Sequence, residues 1–263
     1  MNRIGAAFAQ LRREGKKALI TYLTVGFPSV QMLPDLVKAL GDSGVDLLEL
    51  GIPFSDPLAD GPTIQKTSQW ALCRGVTPRI VLRQVEGLRR RGIRIPLALM
   101  TYFNPVHRYG IEAFCRDSAS CGVDGLIVPD LPPEEGGELN RAAQPFGLDT
   151  IFLAAPTSPH WRLRRIVQAS SGFIYYVSLT GVTGARASLP REVAGHVRSI
   201  QGMTDLPVCV GFGIGRAAQV REVARVADGV IVGSRLLEVI GAGQSPIKAA
   251  STLIRKLREA CHA

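Results

Sequence analysis

The chain has 263 residues, of which 46% are hydrophobic and 20% charged, and its formal net charge is +9. That composition is globular and excludes a disordered chain, and no apolar run approaches the ~20 residues needed to span a bilayer. The positive charge is spread over expected helix faces, with arginine clusters only at 89–91 and 162–165 and no stripe of cations interleaved with aromatics, so nucleic acid is not the expected partner. A positive field does favour capture of a phosphorylated metabolite.

Five cysteines in an odd, unpaired spacing (Cys73, Cys115, Cys121, Cys209, Cys261) and four scattered histidines support neither a disulfide framework nor a zinc site. The N-terminal stretch 1–17 is basic and amphipathic but lacks a signal-peptide core, so a cytoplasmic location is expected.

In chain order, residues 2–14 read as a helix ahead of the first strand, Ala18–Thr24. Further strands are expected at Leu47–Leu50, Pro96–Thr101, Gly125–Val128, Thr150–Leu153, Phe173–Val177, Pro207–Val210 and Gly229–Val232. These runs are apolar on both faces, as parallel strands covered on both sides are. Amphipathic helices are expected between them, at Gln31–Leu40, Ile80–Arg91, Ile111–Ser120, Glu134–Ala143, Trp161–Ala169, Arg191–Ile200, Arg216–Val226 and Ile247–Ala260. Eight such repeats with right-handed crossovers close into an α/β fold, a single (β/α)8 TIM barrel spanning 1–263 with an extra N-terminal helix. A doubly wound open sheet is the competitor. It would carry G-x-G-x-x-G after the first strand, where this chain has Val25-Gly26-Phe27-Pro28.

A barrel builds its active site from the segments that follow the C-terminal ends of its strands. The most informative of these is the stretch 49–62, Glu-Leu-Gly-Ile-Pro-Phe-Ser-Asp-Pro-Leu-Ala-Asp-Gly-Pro. Glu49 lies in a buried strand, where a carboxyl is costly and its pKa rises. Asp56 and Asp60 follow on a segment whose prolines bar helix interior and central strand. A buried acid joined by a loop acid suits proton transfer in both directions on one substrate. The competing explanation is a strand-end glutamate paired with an arginine beside a proline-stiffened loop.

Three late loops are glycine-rich: 178–185 with Thr183 and Gly184, 211–215 with Phe212 and Gly213, and Gly233-Ser234. Glycine lets backbone N–H groups approach an anion, and a helix N-terminus adds a favourable dipole. Steric needs of tight turns account for any one of these loops; three together point to phosphate. No lysine lies in them, only Arg186 and Arg235 nearby, so neutral backbone donors are expected to hold the group. Between acids and glycines, Tyr22, Met100, Ile127, Leu153, Tyr175, Phe212 and Val232 are candidates for an apolar slot, most of them as ordinary barrel core. Tyr175 and Tyr176 point to opposite faces, and the sequence does not decide which faces the axis.

The segments Leu48–Pro62, Thr101–Val106, Val128–Asp130, Gly181–Gly184, Gly211–Gly213 and Gly233-Ser234 together resemble the α subunit family of tryptophan synthase over essentially the whole chain. The resemblance implies retro-aldol cleavage of indole-3-glycerol phosphate to indole and glyceraldehyde 3-phosphate. It implies Glu49 as the general acid–base for C3 of the indole ring, Asp60 as the carboxylate on the indole N–H, and Tyr175 beside the glutamate. Gly184, Gly213, Gly233 and Ser234 match the phosphate cradle and Phe212 a wall of the indole slot, while the loops carrying Asp60 and Thr183 close over the substrate. It further implies a β subunit that carries pyridoxal phosphate, an αββα tetramer in which Asp56 and Pro57 serve the partner, and no cofactor or metal in this chain. The basic isoelectric point departs from the family, which is more often acidic. The competing functions are a free-standing lyase, a regulatory barrel with weak catalysis, and another phosphosugar barrel such as an isomerase.

Overall fold

The computed structural model describes residues 2–178 and 191–262, with nothing given of the Arg191 side chain. Among these residues nine short parallel strands form one sheet: β1 (Ala18–Thr24), β2 (Leu47–Gly51), β3 (Leu97–Met100), β4 (Gly125–Ile127), β5 (Asp149–Ile151), β6 (Leu153–Ala154), β7 (Ile174–Val177), β8 (Val208–Gly211) and β9 (Gly229–Val232). Their order is β5-β4-β3-β2-β1-β9-β8-β7-β6. The two edge strands are consecutive in sequence and separated only by Phe152. The expected fifth strand is thus one stave whose pairing passes at Phe152 from β4 to β7, and the sheet is a nearly closed barrel of eight staves.

The helices are α1 (Arg3–Arg13), α2 (Leu33–Asp42), α3 (Pro62–Leu72), α4 (Pro78–Arg90), α5 (Phe103–Tyr109), α6 (Ile111–Cys121), α7 (Gly137–Ala143), α8 (His160–Ala169), α9 (Arg191–Gln201), α10 (Ala217–Ala224), α11 (Ser234–Ala242) and α12 (Pro246–Cys261). None is long and apolar enough to cross a membrane. Three of them, α3, α5 and α11, fall outside the helix ranges expected from the sequence, which places only the start of a helical region at Gly233-Ser234. Helix α3 starts with Pro62 in its first turn behind Gly61, a position that needs no donated N–H. Its inner face uses Thr67, Ser68 and Ala71 beside Ile64, which blurs the apolar period.

Strand registers define the inner face. Tyr22 pairs with Glu49 and Glu49 with Ala98; across the barrel Leu153 pairs with Tyr175 and Tyr175 with Cys209. Close approach to the axis requires glycine at Gly211, where a Cβ would stand 2.7 Å from the Tyr175 phenol oxygen. At the opposite end, fully buried Ile4 of α1 lies where a side chain on Gly125 would collide, so the extra N-terminal helix plugs the barrel floor.

Aspartates at the feet of the strands pin this floor. Leu19, Leu97 and Val208 donate their N–H groups to Asp46 (2.7 Å), Asp124 (2.8 Å) and Asp228 (3.0 Å). Asp124, 2% exposed, also accepts from Arg3 and Arg89 at 2.8 Å each, and Arg89 donates to the carbonyls of Gly122, Ile93 and Ile95. Asp124→Ala strands the half-buried Arg89 guanidinium and the Leu97 N–H, and is expected to cost about 3–5 kcal/mol in denaturant unfolding. A loss below about 1 kcal/mol would show that water replaces the carboxylate at this end.

Candidate active site

At the C-terminal mouth of the barrel Glu49 is fully buried, at 0% exposure, and neither carboxyl oxygen has a hydrogen-bond partner among the described residues. Strand alternation directs it inward with Leu47 and Gly51, while Leu48 and Leu50 face the helices. Burial without compensation disfavours its charged form and pushes its pKa up to about 8. The strand-end salt bridge that was the alternative for this residue is absent among the described residues.

Asp60 comes from the segment between β2 and α3. Burial raises its pKa to about 6, opposed by a hydrogen bond from the Tyr102 hydroxyl. Its Oδ1 is buried with no partner among the described residues. Two carboxyls at one mouth are therefore held at different proton affinities: between about pH 6 and 8 Glu49 carries its proton and Asp60 does not.

Phenols surround the pair. Tyr22 and Tyr175, both buried, have pKa values raised first by burial and then by the carboxyls, Tyr22 by Asp60 and Tyr175 by Glu49 and then Asp60. Tyr175 faces the axis, for the Tyr176 hydroxyl is 2.9 Å from Nδ1 of His196 on α9, on the helix side of the sheet. The tyrosine choice left open by the sequence is thereby made. Thr24 donates to the Tyr22 phenol oxygen at 3.4 Å and its Oγ1 lies 2.7 Å from that of Thr67, tying the end of β1 to α3 directly after the acidic loop.

Met100 and Ile127 end β3 and β4 on the inner face and are buried, as their register with Gly51 and Ile151 requires. Leu153 shares that face. Val232 does not: it pairs with Thr21, the residue on β1 that points away from Tyr22, and so belongs to the barrel–helix interface.

Phe212 and Gly213 follow β8. The Phe212 ring is half-buried and packs edge-on against Tyr175, with centroids 5.9 Å apart at 71°. Its φ of +72° is the one positive value at a non-glycine residue among those described, a strained backbone that recurs at functional sites. Two interactions over-determine it. Buried Ser178 donates to the carbonyls of Gly211 and Phe212 at 2.9 Å each, and the Gln219 amide accepts from Gly215 and Arg216 while donating to the Gly213 carbonyl. Gly213 stays exposed. Gly233 is the N-cap of α11 and Ser234 its first residue, so the first-turn N–H groups of that helix face the mouth without intrahelical acceptors. Arg235 pairs with Glu238 at 3.2 Å.

Thr183, Gly184 and Arg186 lie outside the described residues. Sequence reasoning missed Tyr102 and Ser178. A buried tyrosine needs a polar partner, and that was the only signal available for Tyr102.

A barrel with a proton-holding glutamate, an ionised loop aspartate and a helix N-terminus at one mouth belongs to the class of TIM-barrel enzymes that move protons on phosphorylated substrates. The family model described as "Tryptophan synthase alpha chain" matches residues 8–262, and the chain belongs to that family. It is 50% identical to the tryptophan synthase alpha chain of Chloroflexus aggregans over 98% of this chain and 97% of that one. It is 49% identical to that of Carboxydothermus hydrogenoformans, over 91% and 90% of the two chains. Among solved structures, a chain of Mycobacterium tuberculosis tryptophan synthase superposes with a TM-score of 0.92 at 40% identity, covering 100% of this chain and 99% of that one. The α subunit from Legionella pneumophila gives 0.92 at 38%, covering 99% and 98%.

Proposed function

We propose that Glu49 and Asp60 perform the family's lyase reaction as a proton donor–acceptor and an electrostatic stabiliser, with the rest of the mouth holding the substrate. Tryptophan synthase alpha chains cleave indole-3-glycerol phosphate in tryptophan biosynthesis, a carbon–carbon lyase reaction. The observation that carries the residue assignment is the buried Glu49 carboxyl, without a hydrogen-bond partner among the described residues, which keeps its proton at neutral pH beside a carboxyl that does not.

In this reading the Glu49 proton is delivered to C3 of the indole ring, and the positive charge that appears at the ring nitrogen is met by the Asp60 carboxylate. The Glu49 carboxylate then takes the hydroxyl proton from the side-chain carbon bonded to C3. The C–C bond breaks, its electron pair returns to the ring to give indole, and the side-chain carbon becomes the aldehyde of glyceraldehyde 3-phosphate. Glu49 ends protonated, ready for the next turnover. Tyr22, Met100, Ile127, Tyr175 and Phe212 form the indole slot. Gly213, Gly233 and Ser234 hold the phosphate, joined by Thr183 and Gly184 from the segment between Ser178 and α9. Such a cradle of neutral donors suits a metabolite that must leave again.

The partner is a β subunit, assembled as αββα in the cytoplasm. Pyridoxal phosphate is assigned to that subunit and takes no part in the steps above. Exposed Asp56 and Leu58, 89% exposed, and half-buried Pro57 on the acidic loop suit the contact with it. The single-domain organisation over 1–263 accords with one hydrophobic cluster running from Ile4 to Cys261.

The deciding measurement is indole release from indole-3-glycerol phosphate by the purified chain, with and without a tryptophan synthase β subunit. Slow release that rises at least about tenfold with the partner is expected, because loop closure completes a site of this kind. Fast release indifferent to the partner would establish a free-standing lyase. No release in either arm would overturn the residue assignment and favour another phosphosugar reaction.

A further inference from the structure

Asp60 sits on a loop, yet its function in the reading above demands a fixed carboxylate. The loop and α3 hold only its backbone: the Asp60 N–H donates to the Pro57 carbonyl at 3.0 Å and the Gln65 amide donates to the Asp60 carbonyl at 2.8 Å, while Ser55 bonds its neighbour Asp56. Restraint of the side chain comes from the next stave. Tyr102, two residues beyond β3, is 3% exposed, and its ring packs on Phe54 of the acidic loop with centroids 5.5 Å apart and planes at 32°. Its hydroxyl lies 3.0 Å from the backbone nitrogen of Ala59, which donates to it. Downstream, the Phe103 N–H donates to Asp130 at 2.8 Å, bracing the turn that carries the phenol.

A phenol has two acceptor sites and one proton. Here an acceptor site is taken by Ala59, and the proton is left for the carboxyl of the adjacent residue, Asp60. We propose that Tyr102 is the positioning residue for Asp60: one hydroxyl anchors the acidic loop through Ala59 and spends its proton on the Asp60 carboxylate, fixing that group at the mouth in its ionised form. The inference rests on the assignment of Asp60 to the ring nitrogen and deepens it. Donation from Tyr102 opposes the effect of burial on the Asp60 carboxyl. Among the described residues, the titratable groups facing Asp60 are Tyr22 from β1, Tyr102 and Tyr175 from β7, with Asp130 facing Tyr102 from beyond β4, and none of these is a cation.

The test is the pH profile of kcat/KM for indole release by the complex with its β subunit, for Tyr102→Phe, Phe54→Leu and Asp60→Asn. Tyr102→Phe should move the acid limb up by about one pH unit, giving roughly fivefold loss at pH 6 and little at pH 8. Phe54→Leu loosens the ring and keeps the hydroxyl, so its acid limb should stay in place. Should Tyr102→Phe fail to fold, difluorotyrosine at position 102, a stronger donor, should move the limb down instead. An unmoved limb in the position-102 variants with Asp60→Asn inactive would overturn the role of Tyr102 alone. An active Asp60→Asn enzyme would overturn the reading of Asp60 on which the inference stands.

Discussion

Glu49→Gln is expected to lower indole release by about 10²–10⁴-fold while substrate still binds, because the amide fills the same volume and has no proton to exchange with C3 or the side-chain hydroxyl. Wild-type kcat/KM should fall as pH rises through about 8, where the buried carboxyl loses the proton it must deliver. The same group makes the fold pH-sensitive. Its folded pKa of about 8 exceeds the ordinary 4.5, so the folded state binds the proton more tightly. The associated stability is fully present below about 4.5 and declines up to about 8. Glutamine is free of that penalty, and Glu49→Gln should therefore melt above wild type at pH 8.5 and close to it at pH 5. A variant less active and more stable is the mark of a residue kept for chemistry at the expense of the fold. Retention of more than about a tenth of the wild-type rate would remove Glu49 as the acid.

The carboxyls at the two ends of the barrel show how far sequence carries such an argument. Asp124 and Glu49 both lie in or against apolar strand sequence. One is met by two guanidiniums and a backbone N–H, the other by no hydrogen-bond partner among the described residues. Arg3 and Arg89 are 121 and 35 residues from Asp124, distances at which no local pattern reports pairing. What the sequence did show was the position of Glu49 near the exit of a strand, where barrels place chemistry; the structure puts Asp124 at the entry of one, where they place stability. The strands were legible because each stave is covered on both sides and reads as an unbroken apolar run. The helices α3 and α5 were not, and of α11 only the start at Gly233-Ser234 was. Their first turns begin inside Gly- and Pro-containing segments, and punctuation that marks a loop also marks a helix start.

Within the site, legibility follows the same division. Glu49 and Asp60 stand out because their residue types conflict with their surroundings. The inward choice of Tyr175 over Tyr176 depends on His196, twenty residues beyond Tyr176. The strained Phe212 and its Ser178 clamp depend on backbone geometry that a phenylalanine does not advertise.

Asp60→Asn separates the electrostatic role of that residue from a structural one. Asparagine keeps the size and can still accept from an indole N–H, so substrate should bind with KM changed only a few-fold. It lacks the charge that meets the protonated ring, so kcat should fall by about 10²–10³-fold, a loss confined to the transition state. Wild-type activity should also fall as pH drops through about 6, where Asp60 takes up a proton, and the residual activity of Asp60→Asn should show no such limb. Thermal stability sets the control. The folded pKa of about 6 lies above the ordinary 3.8, so the carboxyl's contribution is present below about 3.8 and lost on the way up to about 6. Replacing it with a neutral amide should leave the melting temperature at pH 7.5 at or above that of wild type. A large fall in melting temperature with an unaltered acid limb would make Asp60 a loop brace. An inactive enzyme that melts normally, its acid limb gone, would place the charge of Asp60 in the chemistry.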